Sequence, residues 1–387
     1  MKYKFGIVSY NIYCNFTNYG SALQSWALCK AIKKYCRNED VEFEPILVDY
    51  CPDVLRDKDP LNPLKNMWDK DEESIEMLKL SMPAIKENFY KFDNFYHKNF
   101  NRTRKKYTSD NFNKIITDES LNGFVCGSDT IFCIDEFNGF DDGYFANYDC
   151  MKNGYTISYA ASFGDSEFIG ENEKILRDRL MNFNILGIRE SKLINQIKSL
   201  IDIPVEQTID PTLLLSSDDY DELATKRLEN KPYLLLYTRR YNRSMELFAE
   251  RVAKEKDLKI IEISLRAKNK EKGHRMYYEA GVEEFLSLVK YADCVITNSF
   301  HGTIFGIQYK KPLYVFSREQ CDTKINELLE RIGLIGRKLI NGNEQIEEYI
   351  DYEYINKNIE NIRKKSIDFL RSSLLNYIEW KKYNGRK

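Results

Sequence analysis

At 387 residues the chain is long for a single core and is expected to form two domains of ordinary size. A formal net charge of -2 gives no sign of nucleic acid or a membrane surface as the main partner. The nine cysteines are odd in number, scattered and without a CxxC pair, which argues against a disulfide framework or a zinc site and fits a reducing cytoplasm.

Met1–Lys4 runs straight into a strand-like Phe5–Ser9, with no apolar leader and no run of membrane-spanning length. A polar loop, Asn11–Gly20, precedes a helix expected over Ser21–Cys36, with Ser21 as N-cap and Gln24 completing a capping box. Leu23, Ala27 and Ala31, with Leu28, Ile32 and Cys36, make its buried stripe. Ile46–Asp49 is the next strand. The opening is Rossmann-like, but it lacks GxGxxG, so no dinucleotide is indicated. Residues 51–106 break the rhythm. They are charged and aromatic, with a helical pattern over Ile75–Phe100, and are expected to form a helical insertion over the active face.

Alternation then resumes. Strands Gly123–Cys126, Tyr155–Ala161, Ile185–Ile188 and Val205–Ile209 end in Gly127-Ser128-Asp129, Ser162-Phe163-Gly164, Arg189-Glu190 and Asp210-Pro211-Thr212. Helices are expected near Asn172–Asn182 and Ser191–Leu200. Polar residues at successive strand ends mark a binding face. A helix over Asp218–Leu228 and the charged link Glu229–Pro232 divide an N-terminal domain, 1–222, from a C-terminal one, 223–345. The second set runs through strand Tyr233–Tyr237, helix Met245–Lys254, strand Lys259–Ser264 and helix Val282–Tyr291. After it, residues 346–387 form a helical tail whose Ile359, Ile362, Ile367 and Leu370 need the N-terminal half to cover them. The expected class is α/β, with two Rossmann-like domains facing a cleft in a glycosyltransferase-B-like arrangement.

Asp293–Phe316 is the most informative stretch. Strand Cys294–Thr297, a small polar turn Asn298–Thr303, helical spacing over Thr303–Tyr309 and strand Leu313–Phe316 make a parallel crossover unit. Free amides at such a turn attract anions. His301, one of three histidines, sits there. It is either a capping residue or a proton carrier, and its place beside an anion-binding turn favours the second. Structural alternatives stand for the others: a helix-start ion pair for Arg189 and Glu190, a turn or cap for Asp129 and Asp210, a loop before a capped helix for Asn18–Gly20, and a solvated side chain for Lys311.

Taken together, Asn18-Tyr19-Gly20-Ser21-Ala22-Leu23-Gln24, Gly127-Ser128-Asp129, Tyr159-Ala160-Ala161-Ser162-Phe163-Gly164, Arg189-Glu190, Asp210-Pro211-Thr212-Leu213-Leu214 and Thr297-Asn298-Ser299-Phe300-His301-Gly302-Thr303 resemble the polysaccharide pyruvyl transferase family. The resemblance implies transfer of pyruvate from phosphoenolpyruvate to a sugar or glycan acceptor, free or lipid-linked, as a ketal. It implies no cofactor and no metal, and a place in the cytoplasm or at the inner face of the membrane. Where the family often carries Trp after the Gly-Ser-Asp motif, this chain has Phe132.

A donor with a phosphate and a carboxylate needs cations and amides. Arg189, Asn298, Ser299, Gly302, Thr303, Lys311 and Arg318 are the expected donor contacts, and Asn18, Tyr19, Gly20, Gln24 and Phe132 the acceptor contacts. His301 is the expected acid/base group, with Asp129 or Glu190 as acceptor-side base. A nucleotide-sugar glycosyltransferase of the same architecture, or a glycan-binding relative without catalysis, are the competing readings.

Overall fold

The computed structural model describes residues 1–10, 17–66, 70–318, 322–344 and 349–384. Strands β1 (Lys2–Val8), β2 (Glu42–Leu47), β3 (Gly123–Cys126), β4 (Thr156–Ala161), β5 (Ile185–Ile188) and β6 (Val205–Gln207) form one six-stranded sheet in the order β2-β1-β3-β4-β5-β6. A second six-stranded sheet has the order β12-β11-β10-β7-β8-β9. It is built from β7 (Tyr233–Tyr237), β8 (Lys259–Ile263), β9 (Arg275–Met276), β10 (Cys294–Thr297), β11 (Leu313–Phe316) and β12 (Lys338–Leu339). Every pairing is parallel. Helices cover both faces of such sheets, which explains why β3 and β7 are buried at every residue and read as unbroken apolar runs. In each sheet the order reverses at its first strand, β1 or β7, and the crevice opens there beyond the strand carboxyl ends.

The first helix spans Tyr19–Tyr35 and starts earlier than its sequence suggests. Asn18 is the N-cap, its side chain accepting from the Gly20 amide at 3.0 Å. Ser21 and Gln24 are therefore inside the helix and fully buried. The helix expected over Asp218–Leu228 is confined to Ser217–Asp221, opened by a capping box of Ser216 and Asp219. Past it, the Thr225 amide bonds to the Glu283 carbonyl, so backbone pairing with the second half replaces helix continuation.

The insertion contains a long helix, Glu72–Asn99. It lies along the seam and touches both halves. Phe92 packs on Tyr19 at 5.1 Å between ring centroids, while Lys91 pairs with Glu284 at 2.8 Å and Lys268 with Glu76 at 2.7 Å. The C-terminal helix, Tyr352–Asn384, crosses the other side. Asn358 bonds to the Ile332 carbonyl at 3.2 Å, Arg363 to the Leu213 carbonyl at 2.6 Å, and Tyr155 of β4's edge to the Ser373 carbonyl at 2.6 Å. Ile359 and Leu370 are buried, and Ile362 and Ile367 pack against the core at partial exposure. Each fully buried side chain of this kind stabilises by about 1.5–3 kcal/mol, so packing holds the helix. One continuous apolar cluster takes in Phe5, Leu23 and Ile157 from the first half and Leu235, Phe285 and Ile304 from the second. Among the described residues, no helix is long and apolar enough to cross a membrane.

Candidate active site

The carboxyl ends of β3, β5, β6 and β10 converge on the seam between the sheets. Asp210, just past β6, caps a short turn, its Oδ1 accepting from the Thr212 amide at 2.9 Å and the Thr212 hydroxyl at 2.5 Å. Its other oxygen, Oδ2, faces two basic side chains. Arg189 Nη2 is 3.0 Å away, and His301 Nε2, from the opposite half, is at 3.4 Å. The same Arg189 nitrogen donates to Ser128 Oγ at 2.7 Å, and the guanidinium lies 5.2 Å from the centroid of Phe300. Arg189, Asp210 and His301 are all at least nine-tenths buried. The contact from His301 Nε2 to Asp210 is close enough for ion pairing but is not in hydrogen-bond geometry.

His301 lies in the first turn of the helix Phe300–Gln308, not in a turn before it. Ser299 is the N-cap and accepts from the Gly302 amide at 3.2 Å. Thr303 donates to the Ser299 carbonyl at 3.0 Å, and Asn298 accepts from the Arg239 amide at 2.9 Å while donating to the Arg240 carbonyl at 2.7 Å. Gly302 is required by packing, since a Cβ there would stand 2.5 Å from Thr297 Oγ1. Asn298, Ser299, Gly302 and Thr303 thus build the turn and aim the helix N-terminus at the seam. That end attracts anions.

On the facing wall, Asp129 follows a cis Gly127–Ser128 peptide and has φ of 73°, in the left-handed region. Its Oδ2 accepts from Ser21 at 2.6 Å and its Oδ1 from the Thr130 amide at 3.0 Å. Gln24 holds the same loop, its Oε1 accepting from the Ser128 amide at 3.0 Å and its Nε2 donating to Ser9 at 2.7 Å. Burial raises the pKa of both aspartates, but opposing charges outweigh it. Arg189 and then His301 hold Asp210 below the usual carboxylate range; His301 and then Arg189 do so for Asp129. Glu190 behaves otherwise. Burial pushes its carboxyl up, eased only in part by Arg189 and the Ser162 hydroxyl, and neither oxygen has a well-formed hydrogen bond.

Several expected residues are placed elsewhere. Lys311 precedes β11 and so stands at the amino end of the second sheet, beside Asp293, Arg227 and Lys290, a strand length from His301. Phe132 is fully buried in an aromatic core, 4.6 Å from Phe145 and 5.1 Å from Phe163, with no surface toward the seam. Tyr19 is a seam contact, stacked on Phe285 at 4.4 Å with its hydroxyl donating to the Ala280 carbonyl at 2.7 Å. Gln24 is internal, as described, while Asn18 caps the first helix and Gly20 lies against the His301 ring. The loop Asn11–Gly20 lies partly outside the described residues. Arg318 does stand at the strand carboxyl ends, its amide donating to Asp322 at 2.9 Å and its charge acting on Tyr237 and Glu136.

Sequence reasoning missed Lys324. Its ammonium is 5.7 Å from the Phe300 ring, and its charge acts on Asp129, Glu136 and Glu190. The readable signal was its place in the first turn of the helix after β11, another strand end. Among the described residues no group of three or more His, Cys, Asp or Glu side chains could hold a metal ion.

The sequence profile of the family described as polysaccharide pyruvyl transferase matches residues 18–320. No curated protein matches the chain. Solved structures do. A Listeria monocytogenes protein assigned as a UDP-N-acetylglucosamine 2-epimerase is similar at 12% identity and a TM-score of 0.51, over 96% of this chain and 91% of that one. The UDP-GlcNAc 2-epimerase from Neisseria meningitidis, solved with UDP-GlcNAc, shares 10% identity with a TM-score of 0.48, over 97% of this chain and 100% of that one. A variant of the Thermobaculum terrenum O-GlcNAc transferase shares 10% identity with a TM-score of 0.43, over 100% of this chain and 69% of that one. The two facing Rossmann-like halves are the glycosyltransferase-B-like arrangement. With the strand-end motifs assembled at one seam and the family profile running across both halves, the chain belongs to the polysaccharide pyruvyl transferase family.

Proposed function

We propose that the protein is a phosphoenolpyruvate-dependent pyruvyl transferase that forms a ketal on two hydroxyls of a glycan. The observation that carries this reading is the buried Arg189–Asp210–His301 cluster, which joins a fixed cation and a proton carrier at a helix N-terminus. A donor with phosphate and carboxylate groups matches it. The anionic groups lie against the helix amides and Arg189, with Arg318 and Lys324 at the margin. Asp210 and Ser128 fix Arg189, so little ordering is left to be done on binding.

The reaction converts phosphoenolpyruvate and two hydroxyls into a ketal and phosphate. A proton reaches the methylene carbon C3, C2 gains oxocarbenium character, and the first hydroxyl oxygen bonds to C2. The C2–O bond to phosphate then breaks with its electron pair as the second hydroxyl closes the ketal. His301 supplies the C3 proton from Nε2, which has no formed hydrogen bond to give up.

The deciding assay is phosphoenolpyruvate-dependent phosphate release with a panel of bacterial-type glycans, with thermal shift by phosphoenolpyruvate and by UDP-GlcNAc run in parallel. Release with a glycan, and stabilisation by phosphoenolpyruvate alone, is the expected result. Stabilisation by UDP-GlcNAc without any release would sink the reading. His301→Ala should lower turnover by about a hundred- to ten-thousand-fold with little change in donor affinity, and Arg189→Ala should mainly raise the donor KM.

A further inference from the structure

Three carboxylates of the site, Asp129, Glu190 and Asp210, are buried, and both aspartates are already committed. Asp129 accepts hydrogen bonds at each oxygen, and Asp210 holds Arg189 and Thr212. Glu190 lines a small cavity with Arg189, Phe300, Lys324 and Leu328. An exposed carboxylate stands beside the Asp129 loop. Glu136, on the helical turn Ile134–Phe137 that follows the Asp129 loop, is open to solvent. Desolvation by its surroundings still raises its carboxyl above the usual range, against the pull of Lys324. The exposure of Glu136 and its place directly after the Asp129 loop put it on the solvent side of that loop. Thr130, the neighbour of Asp129, donates to Glu136 Oε2 at 3.0 Å and fixes the carboxylate. The charges that act on it are Lys324 and Arg318 from the opposite half and Asp129 from its own.

We propose that Glu136 is the acceptor-side base, taking the proton from the glycan hydroxyl that attacks C2 of the donor. The assignment rests on the pyruvyl transfer reading above and names the acceptor wall of that site. As the O–C2 bond forms, the first hydroxyl proton passes to Glu136 and the C2=C3 electron pair takes a proton from His301 at C3. In the second step phosphate leaves with the C2–O pair and the second hydroxyl closes the ketal. That hydroxyl's proton departs with the phosphate, and the proton on Glu136 returns to solvent as His301 regains one. Lys324 and Arg318 can hold the donor's anionic end opposite the attacking oxygen. A base must be ionised to act, so kcat/KM should rise with pH through a limb owned by Glu136, placed above the ordinary carboxylate range.

The test compares wild type with Glu136→Gln, Glu136→Asp and Asp135→Asn, an exposed neighbour outside the machinery. Wild type must first show phosphoenolpyruvate-dependent phosphate release with a glycan; its absence overturns the parent reading and this assignment with it. Given activity, Glu136→Gln should lose about a hundred- to ten-thousand-fold in kcat and lose the acidic limb. Its stabilisation by phosphoenolpyruvate and its Tm should stay near wild type. Glu136→Asp should recover part of the rate, and Asp135→Asn should match wild type. Turnover of Glu136→Gln within fivefold of wild type, with the limb intact, refutes the role. Equal loss of phosphoenolpyruvate stabilisation and kcat refutes it too, by moving Glu136 to the donor side.

Discussion

Gly20 and His301 meet so closely across the seam that a Cβ on Gly20 would stand 1.9 Å from the imidazole Nδ1. The contact joins the first helix of one half to the helix Phe300–Gln308 of the other. Gly20 has ordinary helical backbone, so its lack of a side chain serves the histidine and not the chain path. Gly20→Ala should therefore favour the local helix by up to about 1 kcal/mol while forcing the imidazole away from Asp210. The expected outcome is a folded enzyme with turnover reduced about a hundredfold or more. Circular dichroism alongside turnover per folded molecule checks it. Near-normal turnover would show that the ring can move without consequence.

Asp210 makes a second prediction, about acid stability. Its folded-state pKa is depressed, chiefly by Arg189 working against burial, so its contribution is present above the unfolded carboxylate value of about 3.9. That contribution is lost as pH falls below this value toward the lower folded-state pKa. Asp210→Asn should lower stability at neutral pH by about 3–5 kcal/mol, because it leaves Arg189 buried beside a neutral group. It should also flatten the fall in Tm between about pH 4.5 and pH 3. A variant whose acid limb runs parallel to wild type would remove Asp210 as its source.

Lys311 and Lys324 make a paired test of the donor site. Lys324 flanks Phe300, whereas Lys311 occupies the far end of the sheet, where its backbone carbonyl accepts from Tyr352. Lys324→Ala should raise the donor KM by roughly ten- to a hundred-fold, from about 1.5–3 kcal/mol for a charge-assisted hydrogen bond. Lys311→Ala should leave kinetics unchanged. Initial rates against donor concentration for both variants decide the matter, and a reversed pattern would place the donor elsewhere.

The strands and their polar ends were legible because parallel strands buried on both faces write apolar runs that stop abruptly, as at Cys126, Ile188 and Thr297. What a polar residue does at such an end was less legible. Ser21 and Gln24 satisfy the pattern of a capping box, yet Asn18 caps the helix, and the pair turn inward to hold Asp129 and Ser128. Local pattern cannot report that a loop from Gly127 needs these partners more. Phe132 is expected as an acceptor contact from its place after the Gly-Ser-Asp motif, but Phe145, Phe163 and Phe183 arrive from distant segments to enclose it. Lysines near strands look alike in sequence. Only the direction of the strand separates Lys311 from Lys324.

The two crossing helices change what a break in the chain would mean. Asn230, Lys231 and Pro232, in the connection between the sheets, are exposed and are natural points of attack for a protease. A cut there severs one covalent crossing, but the helix Glu72–Asn99 and the helix Tyr352–Asn384 still grip both halves, and the apolar cluster between them stays closed. The nicked protein should run as two fragments on a denaturing gel yet elute from a sizing column as the intact 45.8 kDa particle. Cleft opening in such a molecule is limited by flexing of the packed helices, not by the slack of the connection.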